Sequence, residues 1–396
     1  MGNVIGIVAE YNPFHNGHAR LIEQTRARLG ADCPVVCVMS GDFVQRGSPA
    51  VYAKFARAEA AARCGADLVL ELPLPWALSS AEGFARGAVG LLGSLGVVTH
   101  LSFGSECGEL EPLQRVAEAL LDPLLGEDLR AELQAGIPFA AARQQAVARR
   151  VGALAELLQA PNNILAVEYL KAIFDQRLDL HPLTILRTGA QHDRPAEGNV
   201  RSASELRTRI GAGENVSAFL PRAAAEISAR EKKLGRGPEA LESAILSRLR
   251  MLPQTVYNAL PGASEGLGNG LYRAAHEEPT LDGVLAAAKS KRYALSRIRR
   301  MTMCAALGVT AGMDAGTPPY ARVLAIGAQG RELLRAIDAR TAAPVITKPA
   351  AGRNLPGAAG EIFALTADAH DLYVLGCPAR EERRCGGDWR ASPFVL

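Results

Sequence analysis

The sequence lacks the features that mark several common protein classes. Its seven cysteines are scattered, and no two form a CxxC pair, so the 396-residue chain shows neither a disulfide framework nor a zinc-binding pattern. No stretch approaches the ~18 apolar residues of a membrane-spanning helix, and the first residues lack the basic and apolar regions of a signal peptide. We therefore expect a cytoplasmic protein without a membrane partner.

Aromatic residues are few, at 5%, and the net charge of +3 is too small to indicate a nucleic-acid partner on its own. What is present is ordinary for a soluble globular protein, with 48% hydrophobic and 21% charged residues. At roughly 100–200 residues per domain, the length predicts two or three domains.

Apolar runs alternate with helical patterns through the first hundred residues. Such alternation predicts an α/β fold with a Rossmann-like parallel sheet, whose ligands bind beyond the carboxyl ends of the strands. The predicted strands are 4–9, 34–39, 67–72 and 97–103, and the predicted helices are 18–29, 55–64 and 84–95. The predicted domains are an α/β domain at 1–211 with a helical insertion at about 110–160, a helical region at 212–310, and a small C-terminal α/β unit at 311–396.

The segment HNGH follows the first predicted strand and opens a helix. A helix N-terminus offers free N–H groups and a positive dipole end, Gly17 permits close backbone approach, and His15 and His18 can donate charge-assisted hydrogen bonds to phosphate oxygens. The alternative is that both histidines only cap the turn. Because a second phosphate-type motif occurs far along the chain, we favour nucleotide phosphate chemistry.

That second motif is RSASELR, which contains Ser202, Ser204 and Arg207. Serines at a helix start with an arginine one turn later can hold the outer phosphates of a nucleoside triphosphate. The alternative is an ordinary helix cap, with Ser204 capping and Arg207 solvated. Arg46 and Lys54 follow the second strand and are further candidates for the same crevice, with a solvated surface role equally expected.

The segment KSKRYALSRIRR, residues 289–300, holds six basic residues and no acid. On a helix, Leu295 and Ile298 would face the core. The residues predicted to contact an RNA backbone are Lys291, Arg292, Arg299 and Arg300. The alternative is a solvated basic face.

HNGH together with RSASELR resembles the paired signature of the HxGH nucleotidyltransferase superfamily, which shares a Rossmann-like fold with class I aminoacyl-tRNA synthetases. The longer segments GIVAEYNPFHNGH, MSGDFVQRGSPAVYAKFARAE, LSFGSE and PNNILAVEYLKAI resemble the bacterial tRNA(Met) cytidine acetate ligase family. The resemblance implies that ATP and acetate form acetyl-adenylate, releasing pyrophosphate, and that the acetyl group passes to N4 of the wobble cytidine of elongator tRNA(Met).

Carried over by position, the resemblance implies an ATP-binding set that joins the first loop to three later positions. Its members are Ile7, Val8, Ala9, Glu10, Tyr11, Asn12, Pro13, Phe14, His15, Asn16, Gly17, His18, Ala19, Arg20, Gly104, Asn162 and Arg187. Within it, His15 and His18 would contact the α- and β-phosphates, and Asn162 and Arg187 would position the nucleotide. Mg²⁺ is expected to accompany ATP, but no carboxylate cluster identifies its ligands, and no metal-ligating residue or protein partner is predicted.

The sequence departs from the family pattern at two positions. Asp42 stands where the family's loop has asparagine, which would place a negative charge near the phosphates, and Gly268 replaces a usually charged residue.

Two other functions remain open from the sequence. A nucleotidyltransferase that adenylylates a small phosphorylated metabolite would use the same motifs, but this function would not account for the residues after 211. A non-catalytic RNA- or nucleotide-binding protein would not need the complete pair of phosphate motifs.

Overall fold

A computed structural model describes residues 2–187, 199–231, 238–264, 266–290 and 293–396. Within these residues the strands are β1 Ile5–Ala9, β2 Val35–Ser40, β3 Phe43–Val44, β4 Ser48–Pro49, β5 Leu68–Leu72, β6 His100–Ser105, β7 His181–Leu186, β8 Ala321–Ile326, β9 Val345–Ile346 and β10 Phe394–Val395. The four strands predicted in the first hundred residues are confirmed as β1, β2, β5 and β6, each within three residues at either end.

The helices up to residue 211 are α1 Asn16–Leu29, α2 Lys54–Arg63, α3 Leu74–Ala77, α4 Ala81–Ser94, α5 Leu110–Leu121, α6 Leu125–Gln134, α7 Phe139–Val151, α8 Pro161–Asp175 and α9 Ala203–Gly211. The later helices are α10 Arg222–Glu231, α11 Pro238–Met251, α12 Gln254–Asn258, α13 Leu267–Glu277, α14 Leu281–Ala288, α15 Leu295–Leu307, α16 Gly330–Asp338 and α17 Gly357–Val374. Short 3₁₀ segments occupy Gly152–Gln159, Ser217–Phe219, Pro349–Asn354 and Arg380–Glu382. None of the described helices is both long and apolar enough to cross a bilayer.

The main sheet has the order β10-β8-β5-β2-β1-β6-β7, with β9 beside β8. Strands β5, β2, β1, β6 and β7 run parallel, so their carboxyl ends meet at one edge. Strand β2 is buried along its whole length. Its side chains alternate between two cores, with Val36 and Val38 in one and Cys37 and Met39 in the other. Helices therefore cover both faces, as the Rossmann-like fold class requires.

The C-terminal segment is α/β as expected, but its strands extend the main sheet instead of forming a sheet of their own. Strand β8 pairs antiparallel with β5, and β9 and β10 pair with β8. Strand β8 offers apolar side chains to both cores, since Val323 lies in one and Leu324 in the other. The last quarter of the chain is thereby built into the nucleotidyltransferase-like sheet.

The region after residue 212 is helical, as predicted. Its core includes Leu271, Ile298 and Met301, and it continues into Phe43 of the first domain and Tyr373 of α17. The short hairpin β3–β4 and helix α17 therefore lie between the sheet and the helical region. The unusual Gly268 sits where α13 meets the carbonyl of Tyr257, because an added Cβ would stand only 2.5 Å from that oxygen.

Candidate functional site

The loop after β1 and the start of α1 carry the HNGH motif at the carboxyl edge of the sheet. His15 is the N-cap of α1, and its Nδ1 accepts a hydrogen bond from the Gly17 N–H at 3.0 Å. The Nδ1 of His18 accepts from the His15 N–H at 3.2 Å, which closes a capping box. A side chain at position 17 would collide with the His15 ring, because its Cβ would lie 2.9 Å from Cε1.

The two imidazoles stack with their centroids 3.8 Å apart. Burial and then the positive charges of Arg187 and Arg207 lower the pKa of His15 to about 3. Burial also lowers the pKa of His18, as do His15 and Arg187. Since each Nδ1 accepts a backbone proton, each neutral ring carries its own proton on Nε2. The pair therefore offers neutral N–H donors, whereas the sequence suggested charged ones.

The structure brings the RSASELR motif against the HNGH loop. Arg207 Nη1 donates to the carbonyl of Asn12 at 3.0 Å, and the Asn16 side chain donates to the carbonyl of Asn199 at 2.9 Å. Ser202, not Ser204, is the N-cap of α9 and accepts from the Glu205 N–H at 3.2 Å. Ser204 is exposed. The segments before and after the helical insertion thus meet at one crevice.

The remaining site residues approach the same crevice from β6, β7 and α8. Gly104 leaves room for the Arg187 side chain, because an added Cβ would lie 2.9 Å from Arg187 Cγ. Asn162 donates to Glu106 at 2.6 Å, and the same carboxylate accepts the backbone N–H groups of residues 162 and 163. Glu106 therefore caps α8 and orients Asn162, a role that the sequence did not reveal.

Several members of the first loop cannot line a crevice with their side chains. Ile7, Tyr11, Asn12 and Phe14 are each at most 2% exposed. Tyr11 packs edge-on against His18, with ring centroids 4.9 Å apart. These side chains fix the shape of the loop. The more accessible loop residues are Val8, Ala9, Glu10, Asn16, Gly17, His18, Ala19 and Arg20, whereas Pro13 and His15 are buried.

Arg57 holds this edge of the sheet together, although the sequence did not single it out. Its buried guanidinium donates to the carbonyls of Glu10 at 2.5 Å, Ser40 at 3.2 Å and Tyr52 at 3.0 Å, and it also bonds that of Gly41. Glu10 and Gly41 lie in the loops after β1 and β2, Ser40 ends β2, and Tyr52 lies between β4 and α2. No local pattern marks this residue, because all of its acceptors are backbone atoms.

Lys54 and Asp42 are both paired inside the protein. This corrects the expectations that Lys54 lies at the phosphate crevice or on the solvated surface and that Asp42 places its charge near the phosphates. Lys54 is fully buried and pairs with Glu71 at 2.7 Å and Asp388 at 2.9 Å. Asp42 accepts the Lys54 N–H at 2.9 Å and contacts His370 Nδ1 at 2.8 Å. Burial would raise the pKa of Asp42, but His370 and Lys54 outweigh it and lower that pKa. The unusual aspartate therefore serves a buried ion network.

Arg46 is exposed on the β3–β4 hairpin, and its charge, together with burial, lowers the pKa of Arg207. The next residue, Gly47, packs against α15, because an added Cβ would lie 2.4 Å from the Arg300 backbone nitrogen. The β3–β4 hairpin therefore connects the crevice to α15, the helix that carries Arg299 and Arg300.

Of the predicted RNA-contacting residues, Arg299 is exposed and Arg300 is half-buried, whereas Lys291 and Arg292 lie outside the described residues. Ile298 is fully buried, as its spacing predicts. Tyr293 packs against the guanidinium of Arg297, which lies 4.9 Å from the ring centroid.

The described residues contain no group of three or more His, Cys, Asp or Glu side chains that could hold a metal ion. At the crevice, the Glu106 carboxylate already accepts hydrogen bonds from the start of α8. Glu10 accepts one hydrogen bond on Oε1 and, within the described residues, keeps its other oxygen open.

Comparison with known proteins gives consistent results. The profile of the family described as HIGH Nucleotidyl Transferase matches residues 2–387. A Syntrophomonas wolfei protein named tRNA(Met) cytidine acetate ligase is 38% identical, covering 98% of this chain and 99% of its own length. The Clostridium perfringens protein of the same name is 34% identical, with 100% of both chains covered. The crystal structure of Thermotoga maritima TmcAL bound with alpha-thio ATP matches with a TM-score of 0.93 at 33% identity, covering 100% of this chain and 99% of that one.

Proposed function

Because this chain belongs to the tRNA(Met) cytidine acetate ligase family of HIGH nucleotidyl transferases, we propose that it activates acetate with ATP and acetylates N4 of the wobble cytidine of elongator tRNA(Met). The observation that carries this proposal is the meeting of HNGH with RSASELR, through the bonds from Arg207 to Asn12 and from Asn16 to Asn199. The reaction places the enzyme in the cytoplasm, where it meets tRNA.

The donors of the crevice match the charge of a nucleoside triphosphate. We assign the Nε2–H groups of His15 and His18 to the α- and β-phosphates, near the positive end of α1. Ser202, Ser204 and Arg207 would take the outer phosphates. Asn162 and Arg187 would position the nucleoside. The Thermotoga structure bound with alpha-thio ATP supports a nucleotide in this fold.

In the first step, an acetate oxygen attacks the α-phosphorus of ATP, and pyrophosphate leaves with the electrons of the broken P–O bond. Neither partner needs a covalent nucleophile from the protein, so the site has to align the two and stabilise the charge that develops. Arg207 and the two imidazole donors supply that stabilisation. Mg²⁺ bound to ATP would further neutralise the phosphates.

The tRNA would approach over α15. Arg299 is exposed there, and the hairpin with Arg46 links this helix to the phosphate-binding loop. A polyanion bound along α15 thus lies beside the crevice in which acetyl-adenylate forms. Lys291 and Arg292, which precede α15 in the chain, belong to the same proposed contact.

The direct test is to incubate the protein with an elongator tRNA(Met) transcript, ATP and radiolabelled acetate, and then analyse the nucleosides. We expect label in N4-acetylcytidine that depends on ATP and is lost in His18→Ala. His276→Ala is a matched control because His276 is exposed on α13. Pyrophosphate release that requires a small phosphorylated acceptor, without labelled tRNA, would instead establish a metabolite nucleotidyltransferase.

A further inference from the structure

Glu10 is a carboxylate placed among groups suited to bind phosphate. It follows β1 directly, and its backbone carbonyl accepts the Arg57 guanidinium at 2.5 Å. Its Oε1 accepts the Gln45 N–H from the β3–β4 hairpin at 3.0 Å. The side chain is half-buried, so it is held in place yet reachable from the crevice.

The second oxygen of Glu10 is open. Within the described ranges, Oε2 accepts no hydrogen bond, and no cation lies within 4.0 Å of the carboxylate. Arg207 is close enough that the Glu10 charge partly offsets the lowering that burial imposes on the Arg207 pKa. However, the Arg207 guanidinium donates to the carbonyl of Asn12 instead of forming an ion pair with Glu10. The Glu10 charge also acts on Arg57, which donates to backbone carbonyls, and on Tyr169 of α8. A fixed carboxylate with one open oxygen disfavours triphosphate binding, so binding ATP does not explain that oxygen.

The second half of the proposed reaction does need a proton acceptor. The exocyclic amine of cytidine is a weak nucleophile because its lone pair is delocalised into the ring, and it must lose a proton when it is acylated. A positioned general base contributes about 10²- to 10⁴-fold to such a step. The crevice therefore needs a group with a free lone pair on the side from which tRNA arrives.

The two imidazoles and the Glu106 carboxylate, the other candidate bases described at the crevice, are already occupied. The Nδ1 atoms of His15 and His18 each accept a backbone N–H. The Glu106 carboxylate accepts three hydrogen bonds at the start of α8. Glu10 is also the acid tied to the hairpin that packs against α15 at Arg300, so it faces the proposed path of the tRNA.

We propose that Glu10 is the general base of acetyl transfer. The N4 lone pair attacks the carbonyl carbon of acetyl-adenylate and forms the C–N bond, while Glu10 Oε2 takes the N4 proton. The bond between the acetyl carbon and the phosphate oxygen then breaks, and AMP leaves with its electron pair. Glu10 returns the proton to solvent. This assignment rests on the proposed function.

The test separates the two half-reactions in Glu10→Gln, in Glu10→Asp and in the unaltered protein. Acetate-dependent exchange of pyrophosphate into ATP measures adenylate formation. Single-turnover transfer from synthetic acetyl-adenylate to the tRNA transcript measures acylation across a range of pH. Filter binding of tRNA and a thermal melt accompany each variant.

We expect the transfer rate of Glu10→Gln to fall about 10²-fold or more relative to its exchange rate. The decline of transfer at acid pH should disappear in Glu10→Gln and remain in the slower Glu10→Asp, which keeps a shorter carboxylate. If exchange and transfer fall in parallel, Glu10 serves ATP or its magnesium ion and the assignment is wrong. The assignment is also wrong if the transfer rate of Glu10→Gln equals that of the unaltered protein. If the unaltered protein transfers no acetyl group at all, the proposed function fails instead. Should Glu10→Gln not fold, a transfer-to-exchange ratio in Glu10→Asp equal to that of the unaltered protein would overturn the assignment.

Discussion

Asp388 provides the sharpest test of how the C-terminal segment stabilises the site. Its carboxylate lies fully buried between two cations, 2.9 Å from Lys54 and 2.5 and 2.9 Å from two nitrogens of Arg322. Arg322 also contacts Glu71 at 3.1 Å. Replacing Asp388 by Asn keeps the shape but removes one charge from a desolvated network. Breaking a buried ion pair in this way costs about 3–5 kcal/mol.

For a chain of 396 residues, that cost corresponds to a melting temperature about 4–6 °C lower, given an unfolding entropy of roughly 2.1 cal/mol/K per residue. Calorimetry on Asp388→Asn measures it directly. Glu381→Gln is the matched control, since it removes one charge from an exposed position of the same segment. A decrease below about 1 °C, or an equal decrease in the control, would refute the stabilising role of the network.

The same variant carries a pH signature. Burial would raise the pKa of Asp388, but Lys54 and Arg322 outweigh it and lower that pKa below the ordinary value. Its stabilisation is therefore present above the unfolded-state pKa of about 3.9 and is lost as pH falls toward the folded-state value. The stability gap between Asp388→Asn and the unaltered protein should accordingly narrow below about pH 4 in acid unfolding. A gap that widens there would contradict the assignment.

Two further predictions concern the site. Arg299→Glu should weaken tRNA binding and reduce the slope of log affinity against log salt by about 1. Arg222, which is also exposed and lies on α10, is the control, and Arg222→Glu should leave both quantities unchanged. Equal slopes for Arg299→Glu and the unaltered protein would exclude Arg299 from the tRNA contact. Burial, Arg187 and Arg207 lower the pKa of His15 to about 3, so ¹⁵N NMR should show a neutral ring between about pH 8 and 5. Because the folded-state pKa lies below the ordinary value of about 6.5, the stability that the neutral ring contributes is present above pH 6.5 and is lost as pH falls below it. Titration near pH 6.5 would show that the ring is solvated.

The sequence predicted the parallel sheet and the pairing of HNGH with RSASELR because both rest on strong local signals. Strands β1, β2, β5 and β6 are continuous apolar runs, and each motif lies at a helix start that side chains cap. Parallel connection then brings the strand ends to one edge. The family resemblance supplied the distant members Gly104, Asn162 and Arg187, which no spacing rule would have connected to HNGH.

The parts that could not be predicted depend on contacts between distant segments. Asp42 meets His370 across 328 positions, and Lys54 meets Asp388 across a similar separation. A single sequence gives no sign that charges so far apart neutralise each other, so the sequence left Lys54 as either a candidate for the phosphate crevice or a solvated surface residue. The antiparallel pairing of β8 with β5 was hidden for the same reason, because β8 by itself is only a short apolar strand.

The β3–β4 hairpin explains how one chain can couple two chemical steps. Its Gln45 N–H orients Glu10, its Arg46 lies near Arg207, and its Gly47 packs against the backbone of α15 at Arg300. Gln45 and Gly47, separated by one residue, thus contact the loop that would hold the adenylate and the helix that would hold the tRNA. Since a reactive acyl-adenylate hydrolyses when it escapes into water, an acceptor site one hairpin away favours transfer over release.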